Sequence, residues 1–473
     1  MVIEQIYTGC LAQGAYYIHS NGEAAIIDPL REVGPYLDRA QHDNVTIKYI
    51  FETHFHADFV SGHVTLADKT GAPIIYGPNA NPSFEAHIAV DGEEFKIGSV
   101  TIIVLHTPGH TMESTTYLLL DEQGKEHAIF TGDTLFLGDV GRPDLAQKGA
   151  DMTMEDLAGH SYDSLRNKIM PLPDDIIVYP AHGAGSACGK NMMKETVDTL
   201  GNQKKMNYAL RADMTRAEFI KEVTDGLRPP PAYFPLNVKL NKEGYGDIEE
   251  IIGTGMKPLS PREFELLANE TDAVMLDVRT PFDFSTGHIA NSIFIGLDGS
   301  FAPWVGELII DVKQPILLIA PEGREEEAIT RLSRVGFDNT LGYLSGGVDA
   351  WEDAGFDTDM VDSVPASTLH EKYQDIKSRV FDVRKDTEFQ SEHVEEAQNA
   401  PLSSINDHLA SFPKSEPFYI HCAGGYRSMI ASSILKSRGI HNMIDVQGGF
   451  KACLLYTSPS PRDATLSRMP SSA

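Results

Sequence analysis

Thr53-His54-Phe55-His56-Ala57-Asp58-Phe59 decides how the first half of this chain is read. It follows an apolar run, Ile47-Lys48-Tyr49-Ile50-Phe51, and packs two imidazoles and a carboxylate into five residues. Thr107-Pro108-Gly109-His110, Thr131-Gly132-Asp133 and Pro180-Ala181-His182 each close another strand-like run, so donors far apart in sequence are expected to meet at strand ends. Four imidazoles and two carboxylates are the donor types that suit borderline divalent metals such as zinc and iron.

Around this core the chain reads as alternating strands and helices. Ala24-Ala25-Ile26-Ile27-Asp28 and Val100-Thr101-Ile102-Ile103-Val104-Leu105 are strand-like, and the span from Val33 to His42 is helical. Residues 1–245 form one expected domain, ended by the proline-rich Arg228-Pro229-Pro230-Pro231-Ala232-Tyr233-Phe234-Pro235 as extended chain, with a glycine-containing linker from Gly244 to Gly255.

The remainder repeats itself. Leu276-Asp277-Val278-Arg279 recurs 105 residues on as Phe381-Asp382-Val383-Arg384, and Ser345-Gly346-Gly347-Val348 recurs 102 residues on as Gln447-Gly448-Gly449-Phe450. A unit this long, repeated twice, is a duplicated domain rather than a solenoid. Buried strands followed by helices predict two parallel-sheet α/β domains, residues 256–360 and 364–452. Residues 453–473, with Leu454-Leu455-Tyr456-Thr457-Ser458-Pro459-Ser460-Pro461-Arg462 and a Ser-rich end, resemble translated vector read-through; a non-native tail and a missing native C-terminus are expected.

Composition narrows the function classes. With 473 residues the chain exceeds a single core, and 41% hydrophobic residues describe ordinary globular material. A net charge of −29 disfavours nucleic acid and anionic membrane surfaces as partners. The absence of a basic segment followed by an apolar stretch at the N-terminus, and four scattered cysteines (Cys10, Cys188, Cys422, Cys453), predict a cytoplasmic protein without a disulfide framework.

The order HxHxD, His, Asp, His resembles the metallo-β-lactamase superfamily, which implies an αββα sandwich. Thioester hydrolases of that superfamily, the glyoxalase II type, carry a histidine where this chain has Phe59, and a phenyl ring cannot ligate a second metal. The wording of Glu52 to Asp58, His106 to Thr111, Phe130 to Phe136 and above all Gly138-Asp139-Val140-Gly141-Arg142-Pro143-Asp144-Leu145 resembles the persulfide dioxygenases. That resemblance implies one Fe(II) per chain on His54, His110 and Asp133, a two-His-one-carboxylate face open to O₂ and substrate. It places His56, Asp58 and His182 in the shell around the ligands, where a hydrogen-bonded remnant is equally compatible with the sequence. Arg142 is the candidate contact for an anionic substrate, although an ion pair with Asp139 or Asp144 would read the same.

In Tyr419-Ile420-His421-Cys422-Ala423-Gly424-Gly425-Tyr426-Arg427-Ser428 an apolar strand delivers a cysteine into a glycine loop that opens a helix. Loop amides and the helix N-terminus stabilise an anionic sulfur there, and Arg427 adds positive charge. This resembles the active loop of rhodanese sulfurtransferases, with Cys422 as the sulfur carrier. The first repeat has Ala320 in that place, followed by Pro321-Glu322-Gly323-Arg324-Glu325, so a degenerate copy is expected. Cys188, flanked by glycine and Lys190, is a possible reactive thiol, with a packing role as the competing reading.

The whole layout resembles persulfide dioxygenase–rhodanese fusions of sulfide detoxification. It implies oxidation of a low-molecular-weight persulfide (glutathione, coenzyme A or bacillithiol type) to sulfite, then sulfur transfer to sulfite as thiosulfate, in a protein that self-associates. Two other readings compete: a glyoxalase II-like thioester hydrolase with a zinc-containing site, and a sulfur-carrier or persulfide-sensing protein.

Overall fold

In the computed structural model, residues 1–145, 152–227 and 229–457 are described. Six strands, Val2–Thr8 (β1), Gln13–Ser20 (β2), Glu23–Ile27 (β3), Thr46–Phe51 (β4), Ile74–Tyr76 (β5) and His87–Ile88 (β6), lie in chain order across one sheet, antiparallel up to β3 and parallel from β3 to β6. Glu94–Ile97 (β7), Val100–His106 (β8), Thr115–Leu120 (β9), Glu126–Gly132 (β10), Ile177–Pro180 (β11) and Asp198–Thr199 (β12) form a second sheet in the order β12 to β7.

Strand period explains the layers. Tyr16 and Ile18 of β2, Ala25 and Ile27 of β3, and Phe51 face Ile102, Val104, Tyr117, Leu119 and Phe130 of the other sheet. The alternate residues Ala15, Tyr17, Ala24 and Ile26 turn outward beneath Val33, Tyr36 and Ala40 in and beside the helix Gly34–His42. Behind the second sheet, Leu118, Ile129 and Val178 meet Ala158, Phe219 and Val223 of the helices Met154–Ser164 and Arg216–Thr224. Apolar residues on both faces of each sheet therefore build an αββα sandwich, each large buried side chain contributing roughly 1.5–3 kcal/mol.

Two local expectations are corrected. The proline passage does not end the domain as extended chain: Phe234–Glu243 is helical, with Pro235 in the first turn, where a missing N–H costs nothing. The expected linker is helical over Ile248–Gly255, because Ile248, Ile251 and Ile252 recur at helical spacing behind acidic Glu249 and Glu250.

The chain divides into two compact units. The first comprises Met1–Gly253 with Ala302–Lys313 and Ile329–Asp338; the second comprises Thr254–Phe301, Gln314–Ala328 and the chain from Asn339 onward. Within the first, the fully buried Arg31 donates to both carboxylate oxygens of Asp338 at 2.6 and 2.8 Å.

The second unit shows the duplication as two parallel five-stranded sheets of identical order. One runs Pro258–Leu259, Thr340–Leu344, Ile316–Ile319, Val274–Asp277, Ile293–Phe294; the other runs Ser363–Pro365, Met443–Gln447, Phe418–His421, Val380–Asp382, Gln398–Asn399. The helix Gly449–Thr457 continues past residue 452, and Cys453 packs with Ala366, Leu369, Val446 and Phe450. This core therefore takes in the first residues of the expected foreign tail; residues 458–473 lie outside the described residues.

Candidate metal centre and cysteine loop

β8, β10 and β11 run in the same direction, so His110, Asp133 and His182 emerge from one edge of the second sheet, and His54 follows β4 of the first. Gly132 makes the approach possible. Its φ is +52°, and a Cβ there would stand 2.6 Å from Thr53 Oγ1.

His54, His110 and Asp133 meet, with one ligand atom of each within 4.8 Å of the others. Asp133 Oδ2 lies 3.9 Å from His54 Nε2 and 3.4 Å from His110 Nε2. The other ring nitrogens are spoken for. His110 Nδ1–H donates to the Arg142 carbonyl at 2.8 Å. The Thr53 hydroxyl donates to Asp28 Oδ2 at 2.9 Å and thus accepts from His54 Nδ1 at 3.0 Å. Both Nε2 atoms are left as lone pairs aimed at the shared space, the arrangement that outer hydrogen bonds impose on metal-ligating histidines. Burial works against a charged His54 and holds it well below the ordinary histidine range.

The other three superfamily residues divide. His56 leaves the trio: its Nε2 is 3.1 Å from Asp28 Oδ1 and 3.4 Å from Glu52 Oε2, in a buried pocket. Burial opposes its charge, but Asp28 and Glu52 outweigh that and hold it well above the usual histidine range, while burial pushes Glu52 up to about 7. Phe59 is fully buried, with its ring centroid 4.4 Å from that of His56. Asp58 and His182 stay beside the trio. His182 Nδ1 is 2.8 Å from Asp133 Oδ1, and its Nε2 is 2.8 Å from Asp58 Oδ2.

Arg142 is 6% exposed, and its guanidinium grips both Asp144 oxygens at 2.6 Å, one of the two ion pairs the sequence left open. Cys188 is buried against Asp58 and His182. Lys190 Nζ is directed elsewhere, donating to the carbonyls of Glu222 and Asp225.

Sequence reasoning missed Asn241. From the helix Phe234–Glu243 its buried amide donates to the His56 and Phe59 carbonyls and accepts from the Ser61 N–H, each at 2.8 Å. It thereby fixes the whole His-rich loop. The only signal was a polar residue between the proline-rich passage and the expected linker. Asp28, which closes β3 at φ +51° and holds Thr53, was legible only as a strand end.

In the second unit Cys422 lies between the strand Phe418–His421 and the helix Tyr426–Ser437, and its Sγ accepts from the Gly425 N–H at 3.1 Å. Gly449, at φ +56°, packs so closely that a Cβ would sit 2.4 Å from the Cys422 carbonyl, while Phe450 N–H donates to that carbonyl at 2.7 Å. Arg427 is present, but its fork is filled by Glu388 at 2.6 and 2.9 Å. The first repeat touches this loop: the Tyr426 hydroxyl donates to the Gly296 carbonyl at 2.7 Å, and a Cβ on Gly299 would meet the Tyr426 ring at 2.3 Å. At the matching place in that repeat stands Ala320, and Arg324 is paired with Glu327 and Asp298.

An αββα sandwich with histidine and aspartate donors at its sheet edge defines a metal-binding class of fold, followed here by two parallel-sheet domains of which one carries a cysteine loop. The chain belongs to the metallo-beta-lactamase superfamily, whose family model matches residues 8–182; rhodanese-like domains match at 260–354 and 365–454. A solved metallo-beta-lactamase from Staphylococcus aureus subsp. aureus COL is 31% identical with a TM-score of 0.64, over 72% of this chain and 98% of that one. The ETHE1 structure from Myxococcus xanthus is 28% identical at a TM-score of 0.44, over 51% and 98%. A hydroxyacylglutathione hydrolase of Tolumonas auensis is 32% identical over 171 residues, 35% of this chain and 60% of the hydrolase. The chain spans about three-fifths of the length of the first curated hydrolases it matches. The fold implies a metal, and the residues fit one: Asp133 Oδ2 is buried without a hydrogen bond and faces two imidazole lone pairs. No helix among the described residues is long and apolar enough to cross a membrane.

Proposed function

We propose that this chain oxidises low-molecular-weight thiol persulfides with O₂ at one Fe(II) held by His54, His110 and Asp133, and transfers sulfane sulfur through Cys422 to the sulfite produced. The supporting observation is the two-His-one-carboxylate trio with His56 turned away into Asp28 and Glu52. A ferrous ion in this trio supplies one-electron chemistry and open positions for O₂ and a persulfide sulfur. The chain's own residues do the rest. Thr53 and the Arg142 carbonyl orient His54 and His110, and Asn241 holds the loop that carries His54. An anionic substrate competes with Asp144 for the Arg142 fork.

In the second step, Cys422 takes sulfur from a persulfide, releasing thiol, and sulfite removes it as thiosulfate; the Gly425 N–H steadies the sulfur that develops charge. Tethering both sites raises the local sulfite concentration at Cys422. In Cys422→Ser, sulfite accumulates and thiosulfate formation stops while oxygen uptake continues. Undiminished thiosulfate would remove Cys422 from the scheme. The thiol is of the glutathione, coenzyme A or bacillithiol type, the protein self-associates, and it works in the cytoplasm on sulfide detoxification.

A second reading follows from the hydrolase names among the relatives: a zinc-dependent thioester hydrolase acting on a glutathione thioester. Phe59 and the withdrawal of His56 weigh against it, and thioester turnover by zinc-loaded protein distinguishes it.

A further inference from the structure

Arg427 is the one side-chain cation of the loop from Cys422 to Ser428, and its fork is already occupied. Nη1 and Nη2 donate to Glu388 Oε2 and Oε1 at 2.6 and 2.9 Å, the bidentate geometry of a strong guanidinium–carboxylate pair. We propose that Glu388 determines which sulfur acceptors Cys422 admits: an anionic acceptor such as sulfite must displace this carboxylate from Arg427, whereas an uncharged thiol need not. The proposal rests on the reading of Cys422 as a sulfur carrier with sulfite as its acceptor.

The internal repeat separates two jobs of this acid. At the 105-residue offset Glu388 falls on Asp283, and Phe389 on Phe284. Asp283 Oδ2 accepts from the Thr280 hydroxyl at 2.6 Å and so closes the first turn of the helix Pro281–Thr286. Glu388 Oε2 does the same for the helix Asp386–Ser391, accepting from the Lys385 N–H at 3.2 Å. It is one methylene longer, and it also takes Arg427. Where Arg427 stands, the repeat without a cysteine has Glu325. The acid–arginine pair therefore accompanies the sulfur and is not needed for the cap.

The pair is placed to be contested. The Arg427 and Glu388 side chains are 16% and 35% exposed, so a small anion from solvent can reach them. Burial opposes the charge on Arg427, and Glu388 and then the Cys422 sulfur more than offset it, so the guanidinium lies within electrostatic reach of both. Arg384 cannot substitute: its Nε and Nη2 hold the Asp382 carboxylate, and its guanidinium stacks 3.9 Å from the centre of the Phe450 ring. Beside the sulfur, a Cβ on Gly424 would meet nothing within 4 Å, which leaves room for a ligand.

Charge makes the occupied fork matter. In the transfer step the sulfite sulfur gives its lone pair to the outer sulfur of a Cys422 persulfide anion. The S–S bond breaks, its electron pair returns to Sγ as thiolate, and thiosulfate leaves with charge conserved. Two anions must meet, so the reaction needs the positive charge that Glu388 neutralises. Cys422 thus keeps its sulfur until sulfite is plentiful enough to win Arg427.

Sulfite protection of Cys422 from iodoacetamide, read on the Cys422 peptide of the reduced full chain, reports anion occupancy without turnover. In Glu388→Gln the sulfite concentration for half-protection should fall by about 3–10-fold, the worth of a partly exposed bidentate pair. Glu388→Asp, which keeps the cap as Asp283 does but withdraws from Arg427, should fall likewise. In turnover the KM for sulfite should follow, and the KM for 2-mercaptoethanol as an uncharged acceptor should not. Half-protection unchanged in both variants, a fall in Gln that Asp restores to wild type, an equal fall in KM for both acceptors, or no protection by sulfite in any form would overturn the proposal. Protection that shifts as expected in a chain that forms no thiosulfate would uphold the role of Glu388 and refute the transfer reaction instead.

Discussion

Replacing Asn241 with leucine tests whether one amide on a distant helix holds the metal loop. The side chain is 1% exposed and makes three bonds of 2.8 Å, to the carbonyls of His56 and Phe59 and from the N–H of Ser61. Leucine keeps the branching at Cγ but satisfies none of them. Each buried backbone group left unpaired costs about 1–3 kcal/mol. Three of them, offset in part by the apolar burial that leucine brings, amount to about 4 kcal/mol. That is a large share of the ~5–15 kcal/mol that holds a domain together. Because the loop also carries His54, metal affinity should fall by roughly 10–100-fold, as it does when outer supports of metal ligands are removed. Guanidinium unfolding of the full chain, followed on the N-terminal unit, and metal titration read the two effects. Asn241→Asp should be at least as damaging, because it keeps the acceptor for Ser61 but turns a carboxylate on two carbonyl oxygens. A leucine variant that unfolds within about 0.5 kcal/mol of wild type, with unchanged metal affinity, would refute the reasoning.

Two more expectations concern the second unit. Burial pushes Asp445 up to about 7, against an ordinary value of 3.8, so between those pH values the folded state holds a proton that the unfolded state does not, and stability is lost as pH rises. Asp445→Asn should therefore stabilise the chain at pH 8, by on the order of a few kcal/mol, and change little at pH 4; equal effects at both pH values in denaturant melts would contradict this. Tyr426→Phe deletes the 2.7 Å bond to the Gly296 carbonyl, worth about 1 kcal/mol, and should lower thiosulfate formation and change the time profile of Cys422 alkylation. Gly299→Ala, which drives a methyl into the Tyr426 ring, should do more, and an unaltered alkylation profile in both variants would show that the first repeat does not position the loop.

The parts of this molecule that follow strand and loop chemistry were legible in the sequence. Apolar runs with both faces hydrophobic became the sandwiched sheets, and the internal repeat became two sheets of identical strand order. His54, His110 and Asp133 could be brought together because each ends a strand of a recognisable order. What escaped was set by side chains meeting across long separations. Nothing local tells His56 to turn to Asp28 and Glu52, Arg427 to be gripped by Glu388, or Asn241 to close the loop. The helix Ile248–Gly255 was masked by glycines that local propensity reads as linker, although its isoleucine spacing overrides them. Residues Ala302–Lys313 and Ile329–Asp338 group with the N-terminal unit, where Asp338 meets the buried Arg31; a repeat-based boundary cannot show this.

Oxygen consumption by Fe(II)-loaded protein supplied with glutathione persulfide or coenzyme A persulfide tests the central claim most directly. The account predicts uptake that needs both iron and persulfide, that disappears in His110→Ala, and that yields sulfite. Folded, iron-occupied protein that consumes no oxygen with either persulfide, yet hydrolyses thioesters when loaded with zinc, would contradict it.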